Sequence, residues 1–146
     1  MSPKVVIEGI SRGALVAGLI AARDASLAGV VLISGLYDLP QFAANSKSAQ
    51  AKQIVDAMVD ETGGGSDALR ARSILYSAQN IKAATLILNG AKDDRTDPSQ
   101  ARRLAEAINS HGGKARVVIY PDNGHQIPVE VRDKEIDPFI DGVLGK

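Results

Sequence analysis

The chain has no cysteine and no tryptophan, and its aromatic residues are three Tyr and two Phe. Without thiols there are no disulfides, no thiolate nucleophile and no Cys-ligated zinc. Two histidines, His111 and His125, are too few for a His-rich metal site, so neither metal nor cofactor is expected. Charge of one sign is also missing, with 17 Lys and Arg against 17 Asp and Glu. That balance removes the electrostatic case for nucleic acid or an anionic membrane as partner. No apolar run approaches a membrane span, and the opening MSPKVVIEG has no secretory apolar region, so a cytoplasmic location is expected.

What remains is an ordinary globular composition, 45% hydrophobic and 23% charged over 146 residues. This length supports one domain, 1–146, with a core of Val, Ile, Leu and Ala. Short β-branched runs alternate with helical patterns. Val5-Val6-Ile7, Gly29–Ile33, Thr85–Leu88 and Arg116–Tyr120 read as four buried strands. Helices are predicted from about Ser11 to Arg23 and from Pro98 to Ser110, the latter capped by Asp97 and ended by His111-Gly112-Gly113. A stretch from Val129 to Val143 is amphipathic, and Pro138 is expected to kink or split it. Strands apolar on both faces and separated by helices predict an α/β fold with a mostly parallel sheet.

The segment from Tyr37 to Asn80 fits this rhythm least. Ala49–Val59 is helical in pattern, with Ile54, Val55, Met58 and Val59 on its apolar side. A glycine-rich break follows at 61–66, then a short helix over Asp67–Ser73. An excursion of this length is a cap over a site or a surface elaboration, and residues 40–81 are taken as a small helical cap.

Three short motifs carry chemistry, each just past a strand. Gly9-Ile10-Ser11-Arg12-Gly13 is a GxSxG run between a strand and a helix, the context of a nucleophile elbow. A plain turn with Ser11 as a helix N-cap would give the same letters. Asn89-Gly90-Ala91-Lys92-Asp93-Asp94-Arg95 places acids past the third strand, where α/β sheets gather ligands. Tyr120-Pro121-Asp122-Asn123-Gly124-His125 places a histidine past the fourth. The chain order Ser, Asp, His is that of α/β-hydrolases.

From Lys4 to the C-terminus the sequence resembles the α/β-hydrolase superfamily, in the branch of dienelactone hydrolases, prolyl-oligopeptidase-like peptidases and related esterases. The phrases GISRGALVAG, LISGLYDLP, LRARSILYSAQNIKAATLILNGAKDDRTDP and VVIYPDNGHQIP carry the resemblance. It implies Ser11 as nucleophile, His125 as general base and Asp93 as the acid that orients the histidine, with Asp94 as fallback. Asn89 stands where the family often has histidine, and Thr96-Asp97 where a valine is common. The Arg12 backbone N–H is the implied oxyanion donor, and Tyr37 is a candidate substrate contact. Asp38, an acid after the second strand, is an alternative acid or a turn residue. Tyr120 is core or rim, the Arg12 side chain is solvated or faces an anionic substrate group, and His111 is surface.

The resemblance further implies a truncated, minimal α/β-hydrolase fold, the C-terminal half of the usual one. The strands that precede the elbow in the family, and the loop that gives a second oxyanion donor, have no counterpart here. A natural minimal enzyme and a fragment are both compatible with this. The expected activity is hydrolysis of small carboxylic esters through an acyl-enzyme. The alternatives are a non-catalytic interaction module and a peptidase. The uncovered edge of the first strand predicts a homo-oligomer, a two-fold dimer in the simplest case.

Overall fold

The structure, a computed structural model, describes residues 3–45, 52, 53, 56, 57, 60 and 66–146. The apolar side expected over 49–59 (Ile54, Val55, Met58 and Val59) and the break at 61–65 lie outside the described residues.

Four strands form one sheet in the order β1 (Val6–Ile10), β2 (Gly29–Ile33), β3 (Ala84–Gly90) and β4 (Ala115–Tyr120), every pairing parallel. Helix α1 (Arg12–Arg23) joins β1 to β2, and α4 (Pro98–Ser110) joins β3 to β4. The long β2–β3 connection holds α2 (Leu39–Asn45), α3 (Ser66–Ala71) and a 3-10 helix over Ile74–Asn80. Helix α5 (Val129–Leu144) ends the fold.

The side-chain alternation of β2 explains the layers. Val30 and Leu32 point into a core shared with Ala14, Ala17 and Ala21 of α1 and Leu104 and Ile108 of α4. Val31 and Ile33 face the other way, with Leu86, Leu88, Ile127 and Ile136. Both faces of β2 and β3 are therefore covered, which is why these runs are continuously apolar. Removing one such buried Leu or Ile side chain from water is worth about 1.5–3 kcal/mol.

Small residues set the helix spacing, though not only against the sheet. A Cβ on Gly18 would lie 2.3 Å from Ile74 Cδ1. Gly18 thus opens a notch in α1 for the 3-10 helix, whose Ile74 is fully buried. At the C-terminus α5 runs unbroken through Pro138. The ring removes one N–H from the helical ladder, but Ile136, Phe139 and Ile140 pack on the sheet and hold the helix together.

α2 and α3 share a small separate cluster, in which Leu36, Leu39 and Leu69 are joined by Leu15 and Phe42. Asp38 ties it to the main body. Its Oδ1 accepts from the Gln41 N–H at 3.1 Å, capping α2, and from the Tyr76 hydroxyl at 3.1 Å. Arg103 Nη1 donates to Asp38 Oδ2 and to Gln41 Oε1, both at 2.9 Å. Gln100 completes the joint, its Oε1 accepting from the Tyr37 and Asp38 N–H groups. Among the described residues no helix is long and apolar enough to cross a membrane.

Candidate active site

Because the strands are parallel and in register, their carboxyl ends deliver polar residues to one rim. Ile10 pairs with Ile33, and Ile33 with Leu88. Ser11, Ser34, Asp93 and His125 all follow these ends.

Ser11 has φ 57° and ψ −115°, and its side chain makes no capping hydrogen bond to α1. An N-cap serine adopts β-region angles and accepts an N–H from the first turn. Ser11 does neither, so the plain-cap alternative is set aside. Its N–H instead donates to Ile33 O at 2.8 Å, and its Oγ lies 3.0 Å from His125 Nε2. The two motif glycines differ in purpose. A Cβ on Gly9 would fall 2.1 Å from the Gly13 carbonyl oxygen, whereas one on Gly13 meets nothing within 4 Å. The turn therefore demands its first glycine and not its second.

On its other side His125 Nδ1 lies 3.0 Å from Asp93 Oδ2. The Asp93 side chain is fully buried and that of His125 is 15% exposed. A buried carboxylate needs hydrogen-bond donors to offset lost hydration. Asp93 Oδ1 accepts from the Arg95 N–H at 2.9 Å and the Thr96 N–H at 2.8 Å, and the Thr96 hydroxyl donates to Oδ2. Asp94 is exposed and has no place in this line. The first of the paired aspartates is the one at the histidine. Asp38, the other candidate acid, is spent on α2, Tyr76 and Arg103.

The acid loop and the histidine loop are zipped together. Ala91 N–H donates to Tyr120 O at 2.8 Å, and Lys92 N–H to Asn123 O at 3.0 Å. This approach requires Gly90, where a Cβ would lie 2.2 Å from the carbonyl oxygens of both Asn123 and Gly124. Those atoms are backbone and have little room to yield. Gly90→Ala is expected to push the histidine loop off the acid loop. Stability should fall by about 1–3 kcal/mol, with Ser11 reactivity falling beyond what unfolding explains. Denaturant titration and active-site probe labelling of the folded fraction check this.

Other expected residues fall elsewhere. Tyr37 is fully buried in the main core and so lines no open site, correcting its assignment as a substrate contact. Its flat ring fills space beside Gly35, where a Cβ would meet ring atoms at 2.6 Å. Burial, with the Asp93 charge adding to it, raises the phenol well above its ordinary range. Tyr120 packs on the α5 side, and burial raises its phenol too, with Glu135 contributing. Arg12 is exposed, and its N–H belongs to the first turn of α1, where no intrahelical acceptor exists. His111 is exposed at the end of α4, its Nδ1 2.8 Å from Ala107 O. Asn89 is buried, its Nδ2 donating to Gly90 O and Thr96 O. Sequence reasoning missed Thr96 and Ser34 as site residues, since a lone hydroxyl residue in a loop carries no spacing signal.

A strained serine on a strand-to-helix turn, a histidine and a buried acid, all at the carboxyl rim of a parallel sheet, belong to the α/β-hydrolase-fold serine hydrolases. Within that class the chain belongs to the prolyl oligopeptidase family, whose sequence profile matches residues 2–142. It is 28% identical over 151 aligned positions to dipeptidyl aminopeptidase BIII of Pseudoxanthomonas mexicana, covering 98% of this chain and 22% of that protein. In fold it is similar to the Pyrococcus horikoshii acylaminoacyl peptidase, with TM-score 0.83 and 19% identity over 98% of this chain and 24% of that one. The acetyl xylan esterase from Paenibacillus sp. R4 is also similar, with TM-score 0.74 and 20% identity over 94% and 44% of the two chains. The chain thus spans about a fifth of the length of the curated relatives it matches.

Proposed function

We propose that this serine hydrolase cleaves small carboxylic esters by two-step acyl transfer. The observation that carries the reading is the hydrogen-bonded line Ser11 Oγ–His125 Nε2–Asp93 Oδ2, built on the strained Ser11 backbone. His125 takes the Ser11 proton as Oγ attacks the carbonyl carbon, then gives it to the leaving alkoxide. Asp93 holds the Nδ1–H tautomer and balances the imidazolium as it forms. The Arg12 N–H donates to the carbonyl oxygen as it turns anionic. Water, deprotonated by His125, then attacks the acyl-enzyme and releases the acid and free Ser11.

A second reading, peptide-bond cleavage, is favoured by the peptidases among the relatives. Both use the same acyl-enzyme, so substrate decides between them. Turnover of a p-nitrophenyl ester without turnover of dipeptidyl p-nitroanilides supports the esterase. The reverse result makes the chain a peptidase. Failure of a fluorophosphonate to label Ser11 removes both and leaves the interaction-module alternative.

The assembly proposed with this function is a two-fold dimer. β1 pairs only with β2 among the described strands, and Val5, Ile10, Val16 and Ile20 are large apolar residues left exposed around it. On α1, Val16 and Ile20 lie one turn apart, with Arg12 and Asp24 at the two ends of the helix. Antiparallel packing of two α1 helices sets Val16 against Ile20 and Arg12 against Asp24 of the second copy. Sedimentation is expected to show a dimer at micromolar concentration that Val16→Glu dissociates. A monomeric wild type rejects the assembly without touching the catalytic reading.

A further inference from the structure

Among the described residues, two that carry a Cβ have a positive φ: Ser11 at 57° and Ser34 at 52°. L side chains rarely adopt this region, and glycine is the residue that fills it without strain. The nucleophile elbow accounts for Ser11. Nothing in the proposed reaction yet accounts for Ser34.

Ser34 directly follows β2 and is fully buried. Its N–H donates to Leu88 O at 2.9 Å, which carries the β2–β3 pairing one residue past the strand. Its hydroxyl donates to the main-chain carbonyl of His125 at 2.8 Å. The neighbouring carbonyl, Ile33 O, accepts the Ser11 N–H at 2.8 Å. The end of β2 therefore grips both partners of the 3.0 Å Ser11–His125 contact by their backbones. The loop hydrogen bonds from Ala91 and Lys92 reach Tyr120 and Asn123, so among the described residues it is the Ser34 hydroxyl that holds the main chain at His125 itself. A glycine at position 34 would satisfy the backbone angles but would lose this grip.

We propose that Ser34 is a positioning residue: its hydroxyl fixes the His125 main chain, and with it the imidazole, relative to Ser11. The strained backbone at position 34 aims Oγ across the sheet end at the His125 carbonyl, so the strain and the hydrogen bond form one device. It touches no substrate, and it acts through His125. The proposal rests on the Ser11–His125 reading for its kinetic consequence, but its geometric consequence stands apart from catalysis.

Two variants separate positioning from a merely structural role. Ser34→Gly removes the hydroxyl and relieves the backbone, whereas Ser34→Ala removes the hydroxyl and keeps the strain. The glycine variant should be the more stable of the two. In p-nitrophenyl ester hydrolysis both should lose kcat alike, by about 10- to 100-fold, with KM little changed. If kcat instead tracks stability, with Ser34→Gly close to wild type and Ser34→Ala impaired, the proposal is overturned.

A second measurement works even if the wild type turns over no ester and takes no probe, the result that defeats the catalytic reading. The chain has two histidines, and His111 is exposed at the end of α4, so it serves as an internal reference in ring NMR spectra. In Ser34→Gly the His125 ring signals should shift, and its Nδ1 proton should broaden through faster solvent exchange, while His111 stays put. Unchanged His125 signals in that variant overturn the proposal.

Discussion

Ser11→Ala is expected to abolish fluorophosphonate labelling and to reduce ester turnover to the level of the residual pocket. When the serine of a complete triad is removed, the loss is on the order of 10⁶-fold in kcat. The fold should survive. Ser11 Oγ makes no capping bond to α1, and the turn is held by the Ser11 N–H on Ile33 O and the Gly9–Gly13 approach. Alanine keeps all of these and also keeps the φ of 57°, so denaturation midpoints should match wild type. Labelling that persists in Ser11→Ala would move the nucleophile elsewhere.

The legibility of the fold in the sequence has a physical origin. A strand buried on both faces must be continuously apolar, so β2 was legible to its ends as Gly29–Ile33. Pro98 fixes its own φ and Asp97 accepts the Ser99 N–H, so the start of α4 was equally legible. Ser11, Asp93 and His125 stood out as candidates because each follows a strand, and parallel register brings such positions to one rim.

What stayed hidden depends on tertiary contacts. The 3-10 helix over Ile74–Asn80 has no helical stripe of its own and exists because Gly18 leaves a notch for Ile74. Tyr37 looked like a pocket residue, since it follows a strand end as the site residues do. Its ring is instead held under Gly35 while Gln100, sixty-three positions on, takes its N–H. The Ser34 conformation leaves no mark in the sequence, because a serine there reads as an ordinary turn residue. Pro138 was expected to kink or split the last helix; it does not split it, because packing of Ile136, Phe139 and Ile140 outweighs one missing helical hydrogen bond.

Asp93→Asn should produce the second large effect, a loss of about 10⁴-fold in kcat from a folded protein. The geometry says why the loss is so much larger than the removal of one charge suggests. Asp93 Oδ1 accepts two backbone N–H groups, from Arg95 and Thr96, and an asparagine must keep its carbonyl oxygen there to hold the loop. Its Nδ2 then replaces Oδ2, the atom facing both His125 Nδ1 and the Thr96 hydroxyl. An amide N–H pointing at Nδ1 selects the imidazole tautomer that carries its proton on Nε2. That nitrogen faces Ser11 Oγ at 3.0 Å and can no longer accept the serine proton. The Thr96 hydroxyl simply rotates to accept, so stability should change by no more than about 1–2 kcal/mol. Thr96→Val restricts the test to the same pair of atoms. It removes the hydroxyl partner while leaving the tautomer intact, and it should cost far less in kcat than Asp93→Asn. Asp94→Asn, at an exposed neighbour outside the hydrogen-bonded line, should leave kcat near wild type. Loss of activity in Asp94→Asn with Asp93→Asn unaffected would mean that the proton is steered by the other member of the pair.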